Sequence, residues 1–108
     1  MKLYKRKPDD RAPLGQPDPY MIKAGDGRYY IYATGNPGPQ LFCSDSLLDG
    51  WEYKGCCLEA PGQKNCWAPC VIEIDGKYYM YYSSMDEDSD DVHGQTMRVA
   101  VADCPGGP

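Results

Sequence analysis

Few side chains in this 108-residue chain could do chemistry, and one of them stands between two prolines. Asp18 lies in Pro17-Asp18-Pro19-Tyr20. A carboxylate can act as a general base if it reaches a water beside a bound substrate. Asp before Pro also commonly starts a turn, so on these residues alone both roles stay open. The densest acidic run is Asp86-Glu87-Asp88-Ser89-Asp90-Asp91, whose D-x-D-x-D spacing has the look of a calcium loop. An EF-hand loop beginning at Asp86 needs Gly at position 91 and Glu at position 97. Asp91 and Met97 stand there instead, so the run reads as a solvated hairpin loop. His93, the one histidine, falls in the same stretch and reads as exposed rather than catalytic.

The six cysteines are Cys43, Cys56, Cys57, Cys66, Cys70 and Cys104. Cys66 and Cys70 have C-x₃-C spacing, not the C-x₂-C of zinc ribbons. Reduced structural thiols are therefore the expectation, with no metal and no cofactor. The N-terminus carries Lys5-Arg6-Lys7 with no apolar stretch behind it, so it does not read as a signal peptide. Unless the true start lies upstream, a cytoplasmic product is expected.

The elements that must position these residues repeat. Residues 17–34 and 67–83 carry the same order of Pro, Ile, Asp-Gly, a basic residue and Tyr-Tyr. Pro19 pairs with Pro69, an offset of 69 − 19 = 50, and Asp26 with Asp75, an offset of 75 − 26 = 49. Short strands repeating at a period of about 50 residues are the mark of a β-propeller blade. Asp26-Gly27 and Asp75-Gly76 are hairpin signals, because Gly tolerates the positive φ such turns need. The expected strands are Tyr20–Ala24, Arg28–Thr34, Gln40–Ser44, Trp51–Leu58, Val71–Ile74, Lys77–Ser84 and Thr96–Asp103. A polar loop runs from Met85 to Gln95, and no helix of normal length is visible. An ordinary meander with two Asp-Gly hairpins is the plainer alternative.

The fold class is thus all-β, a β-propeller of about two blades. Residues 1–16 form an irregular N-terminal segment, 17–66 the first blade and 67–108 the second. Two blades cannot close a ring, so self-association through exposed blade edges is an expectation. Ten Tyr against one Phe and two Trp suit a pleated, half-buried surface and a polar interior channel. Net charge is −5, which argues against nucleic acid as a partner. Mean hydropathy is −0.64, and no apolar run approaches the roughly 20 residues of a spanning helix, so no membrane role is expected.

The pattern resembles glycoside hydrolase family 43. The matching residues are Pro17-Asp18-Pro19-Tyr20 with Gly27-Arg28-Tyr29-Tyr30-Ile31-Tyr32-Ala33-Thr34, then Ser44-Asp45-Ser46-Leu47 and Trp51. Trp67-Ala68-Pro69, Gly76-Lys77-Tyr78-Tyr79-Met80-Tyr81-Tyr82-Ser83 and Val99-Ala100-Val101-Ala102 follow in the second unit. The resemblance implies a five-bladed propeller acting on arabinose- or xylose-containing oligosaccharides or polysaccharides. It implies hydrolysis with inversion, one carboxylate activating water and a second protonating the leaving oxygen. Asp18 is then the general base. Trp67 lies beside the position aligned with Asp18 and would stack on a sugar, a core role being its alternative. Cys70 departs from the acidic residue that often follows Trp-Ala-Pro. The family's general acid and its pKa-tuning acid are expected beyond residue 108. The rival expectations are a non-catalytic carbohydrate-binding propeller fragment and a truncated, inactive reading frame. The sequence leaves arabinosidase against xylosidase, and exo against endo action, open.

Overall fold

The structure, a computed structural model, describes residues 11–107. Lys5-Arg6-Lys7 and most of the expected irregular segment lie outside the described residues. Seven strands form two antiparallel sheets. The first holds β1 (Tyr20–Lys23), β2 (Tyr29–Ala33), β3 (Gln40–Ser44) and β4 (Glu52–Cys56), paired in chain order. The second holds β5 (Gln63–Ile74), β6 (Lys77–Asp86) and β7 (Thr96–Ala102), again in chain order. The one helical element among the described residues is a three-residue turn, Val92–Gly94.

Both hairpins turn on Asp-Gly, but with different lengths, and this accounts for the two offsets. In the second unit Ile74 pairs directly with Lys77. Asp75 and Gly76 between them both take positive φ, 51° and 77°, as a two-residue type I′ turn demands. In the first unit the Ala24 N–H bonds to the Arg28 carbonyl at 2.9 Å, so three residues, Gly25-Asp26-Gly27, fill the loop. The extra residue shifts the register from 50 to 49.

The core lies between the two sheets. Tyr30, Tyr32, Leu41 and Cys43 of the first sheet face Val71, Tyr78, Met80 and Tyr82 of the second. These positions alternate along their strands, as the period of two requires. Four tyrosines are buried here, and each hydroxyl has a partner. Tyr30 donates to Asp26, Tyr32 to the Pro105 carbonyl, Tyr78 to Glu73 and Tyr82 to Gln63. A buried hydroxyl left unpaired costs about 1–3 kcal/mol, so these bonds make a tyrosine-rich core tolerable. These four tyrosines thus supply packing between the blades, while Tyr20 and Tyr81 are exposed.

The sheets come together where β1 and β2 approach β5. There Gly35 and Cys66 exchange two backbone hydrogen bonds, each 2.9 Å. A side chain at Gly35 would place its Cβ 2.3 Å from the Gly38 carbonyl oxygen, so only glycine fits. All six cysteines are free thiols; Cys43, Cys57 and Cys66 are buried.

Two strands differ from expectation. β5 begins at Gln63, eight residues before Val71, and β6 runs on to Asp86. Gln63 pairs with Asp86 and Lys64 with Met85, so Met85 is buried in a strand instead of opening a loop. The register shifts between Lys64 and Trp67 and again between Trp67 and Cys70, where Asn65 and Ala68 take φ of 53° and 49°. These bulges erase the alternation that marks a strand in sequence.

Candidate active site

Asp18 is exposed, with Pro19 between it and β1. Its φ is 55°, a left-handed value uncommon outside glycine, and Asp is among the residues that tolerate it. The position aligned with it, Ala68, has φ of 49°. Each residue precedes the proline of its unit, so the repeat holds at the level of backbone angles.

One hydroxyl joins the two motifs. Thr34 Oγ1 donates to Asp18 Oδ2 at 2.7 Å and accepts the Ala68 N–H at 2.9 Å. The Thr34 N–H bonds to the Pro17 carbonyl at 2.9 Å, which ties the end of β2 to the Pro17-Asp18 peptide. The Thr34 carbonyl accepts Gln40 Nε2 at 2.8 Å, and the Gln40 side chain is buried. The Asp-Pro and Trp-Ala-Pro motifs, about 50 residues apart, therefore meet across a single side chain.

Trp67 pairs with Ser83 on β6 and is 36% exposed, so it is not a core residue. With Ala68, Cys70, Tyr81, Ser83 and Met97 it lines an open hollow of 250 Å³. An indole flanked by Tyr81 offers the flat apolar surface that a sugar face can stack on. Cys70 is also exposed, and the Tyr20 hydroxyl across from it is raised above its ordinary pKa by their hydrogen bond and the thiol's charge.

The acidic run does not join this site. Asp86 pairs with Arg98 at 3.2 Å, and Asp91 Oδ1 accepts the His93 N–H at 2.9 Å, capping the short helical turn. His93 is exposed. Among the described residues no three of His, Cys, Asp and Glu lie where they could hold a metal ion together.

Thr34 is the residue that sequence reasoning missed. It ends the Tyr-Tyr-Ile-Tyr-Ala-Thr strand, where Thr reads as an ordinary strand former. Its partners lie 16 and 34 residues away and are set by packing between the blades.

Two antiparallel sheets built from one repeat, packed face to face and joined near their first strands, define two blades of a β-propeller. The chain belongs to glycosyl hydrolases family 43, whose family model matches residues 12–108. Over 73 residues it is 44% identical to a probable arabinan endo-1,5-alpha-L-arabinosidase C of Aspergillus flavus, a match covering 61% of this chain and 23% of that relative. The structure superposes on a thermostable family-43 glycoside hydrolase with a TM-score of 0.73 at 37% identity, covering 87% of this chain and 31% of the other. The endo-arabinase of Bacteroides thetaiotaomicron gives a TM-score of 0.72 at 26% identity, covering 88% and 34%. A Xanthomonas citri family-43 enzyme complexed with xylose gives 0.67 at 27%, covering 86% and 30%. The chain thus spans about a quarter to a third of the length of these relatives.

Proposed function

We propose that this chain supplies the first two blades of a glycoside hydrolase that cleaves arabinose- or xylose-containing glycosides with inversion, and that Asp18 is its general base. The observation that carries the reading is the Asp18 carboxylate, exposed before β1 and held by the same hydroxyl that holds the Trp-Ala-Pro segment. Membership of the family supports the reaction class. The arabinan-cleaving relative and the xylose-bound structure support the two sugar types.

In this mechanism Asp18 takes a proton from water. The water oxygen bonds to the anomeric carbon from one face while the glycosidic C–O bond breaks on the other. The departing oxygen takes its proton from a second carboxylic acid, some 6.5–9.5 Å from the base in an inverting enzyme. That acid belongs to the remainder of the propeller. Trp67 contributes a stacking surface beside the reacting sugar.

The experiment is hydrolysis of nitrophenyl arabinofuranoside, nitrophenyl xyloside and arabinan by the full-length protein, with the first product anomer read by proton NMR. Release of the inverted anomer from one of these substrates is expected. A retained anomer, or no turnover of any of the three, contradicts the proposal. A carbohydrate-binding protein without catalysis is the second reading, favoured by the exposure of Trp67; it predicts arabinan or xylan binding with no turnover.

A further inference from the structure

We propose that Thr34 is the positioning residue of the site: it turns Asp18 so that one carboxylate oxygen is occupied and the other is left to act on water. The inference rests on the reading of Asp18 as the base.

A hydroxyl has one proton to give. The Ala68 N–H, 2.9 Å from Thr34 Oγ1, is itself a donor, so it must meet a lone pair of that oxygen. The Thr34 proton is then free to point elsewhere, and Asp18 Oδ2 lies 2.7 Å away to receive it. The direction of the bond is therefore fixed by Ala68, a residue of the second blade. Thr34 has little freedom to do otherwise. Its N–H is held by Pro17 and its carbonyl by Gln40, and its branched Cβ restricts χ1. Among the described residues Asp18 has no other hydrogen-bond partner. Oδ2 is thus committed to Thr34, and Oδ1 is the oxygen open to take a proton from water.

This arrangement makes the orientation of the base a property of the interface between blades. A base displaced by about 1 Å can lose roughly 100-fold in rate, so holding one carboxylate oxygen is a large lever. Valine at position 34 keeps the shape and removes the hydroxyl. Serine keeps the hydroxyl and removes the methyl.

The test compares kcat and KM of the full-length protein with its Thr34→Val, Thr34→Ser and Asp18→Asn variants on the nitrophenyl glycoside it turns over best. Thr34→Val is expected to lower kcat about 10- to 100-fold with KM within about twofold, since ground-state binding is untouched. Thr34→Ser is expected to keep kcat within about threefold of the parent. In the full-length protein the Ala68 amide resonance should move in the valine variant and return in the serine variant. If Asp18→Asn abolishes turnover while Thr34→Val keeps the parent kcat, the positioning role is wrong and the base reading stands. If Asp18→Asn is fully active, the base reading itself fails. Should the valine variant not fold, Thr34→Ser decides alone: a loss of about tenfold or more there means that the hydroxyl is not what matters.

Discussion

Asp18 and Ala68 share one backbone conformation. Both are left-handed, with φ of 55° and 49°, and each precedes the proline that the two repeats share. An L-residue in this region pays about 1–2 kcal/mol in contact between Cβ and backbone, and glycine pays nothing. Glycine loses about 0.5–1 kcal/mol more chain entropy on folding. Ala68→Gly is therefore expected to raise stability by up to about 1.5 kcal/mol, because the N–H that Thr34 accepts is kept. Urea unfolding of the two chains measures it. A clear loss of stability would mean that Ala68 is not left-handed.

The interface between blades depends on Gly35. It exchanges two backbone hydrogen bonds with Cys66 of the second blade, and a Cβ would lie 2.3 Å from the Gly38 carbonyl oxygen of its own loop. Gly35→Ala is expected to cost several kcal/mol, at the upper end of single substitutions, through a clash that cannot be relieved by a rotamer change. Unchanged urea stability would show that Gly35 does not lie against the Gly38 carbonyl.

How much of this was legible follows from where the signals are local. The Asp-Gly turns and the Tyr-rich alternation are local, and they place β2, β3 and β6 within a residue or two of their observed starts. β5 is longer than its alternation, because Asn65 and Ala68 bulge out of register and Gln63–Asn65 carry no apolar pattern. Asp18 and Trp67 were legible as motif residues. Thr34 was not, since its role exists only once two strands about 34 positions apart are packed. Tyr30, Tyr32, Tyr78 and Tyr82 were legible as strand residues, but not as the filling between blades.

The thiols divide into two classes. Cys56, Cys70 and Cys104 are exposed, and Cys43, Cys57 and Cys66 are buried. Burial pushes the Cys57 thiol up to about 12 and raises Cys66 as well. The thiolate is the reactive form, so Ellman's reagent at pH 8 should find three fast thiols in the folded chain and six in denaturant. Six fast thiols in the folded chain, or fewer than six in denaturant, would contradict the placement.

The same burial sets an alkaline limit. An unfolded Cys57 ionises near 9.0, whereas the folded one stays neutral until about 12. The stability that the neutral thiol contributes is complete below the lower value and is lost as pH rises through this window. The urea midpoint should fall between pH 9 and pH 10, and Cys57→Ala should flatten that fall. An equal slope in both chains would show that Cys57 is not the group responsible.

The outer face of the second sheet is bare. Ile72, Ile74, Tyr81, Met97, Val99 and Val101 are all about half exposed or more. Contiguous apolar area of this kind marks a surface that packs against something. The isolated 108-residue chain is expected to associate with rising concentration, and Val99→Lys with Val101→Lys on the edge strand β7 to reduce it. Sedimentation equilibrium reads both. A monomer at all concentrations would contradict the expectation.

The central claim is that Asp18 is the base of a glycosidase, and turnover by Asp18→Asn in the full-length protein tests it most directly. General acid–base groups contribute about 10²–10⁴-fold each, so nitrophenol release should fall by at least about 100-fold. The circular dichroism spectrum should be unchanged, because an amide oxygen can still accept the Thr34 hydroxyl. The 108-residue chain alone, which spans about a quarter to a third of the length of its relatives, should show no useful turnover. A folded Asp18→Asn protein with parental activity would contradict the account and leave Asp18 as the residue that turns the chain into β1.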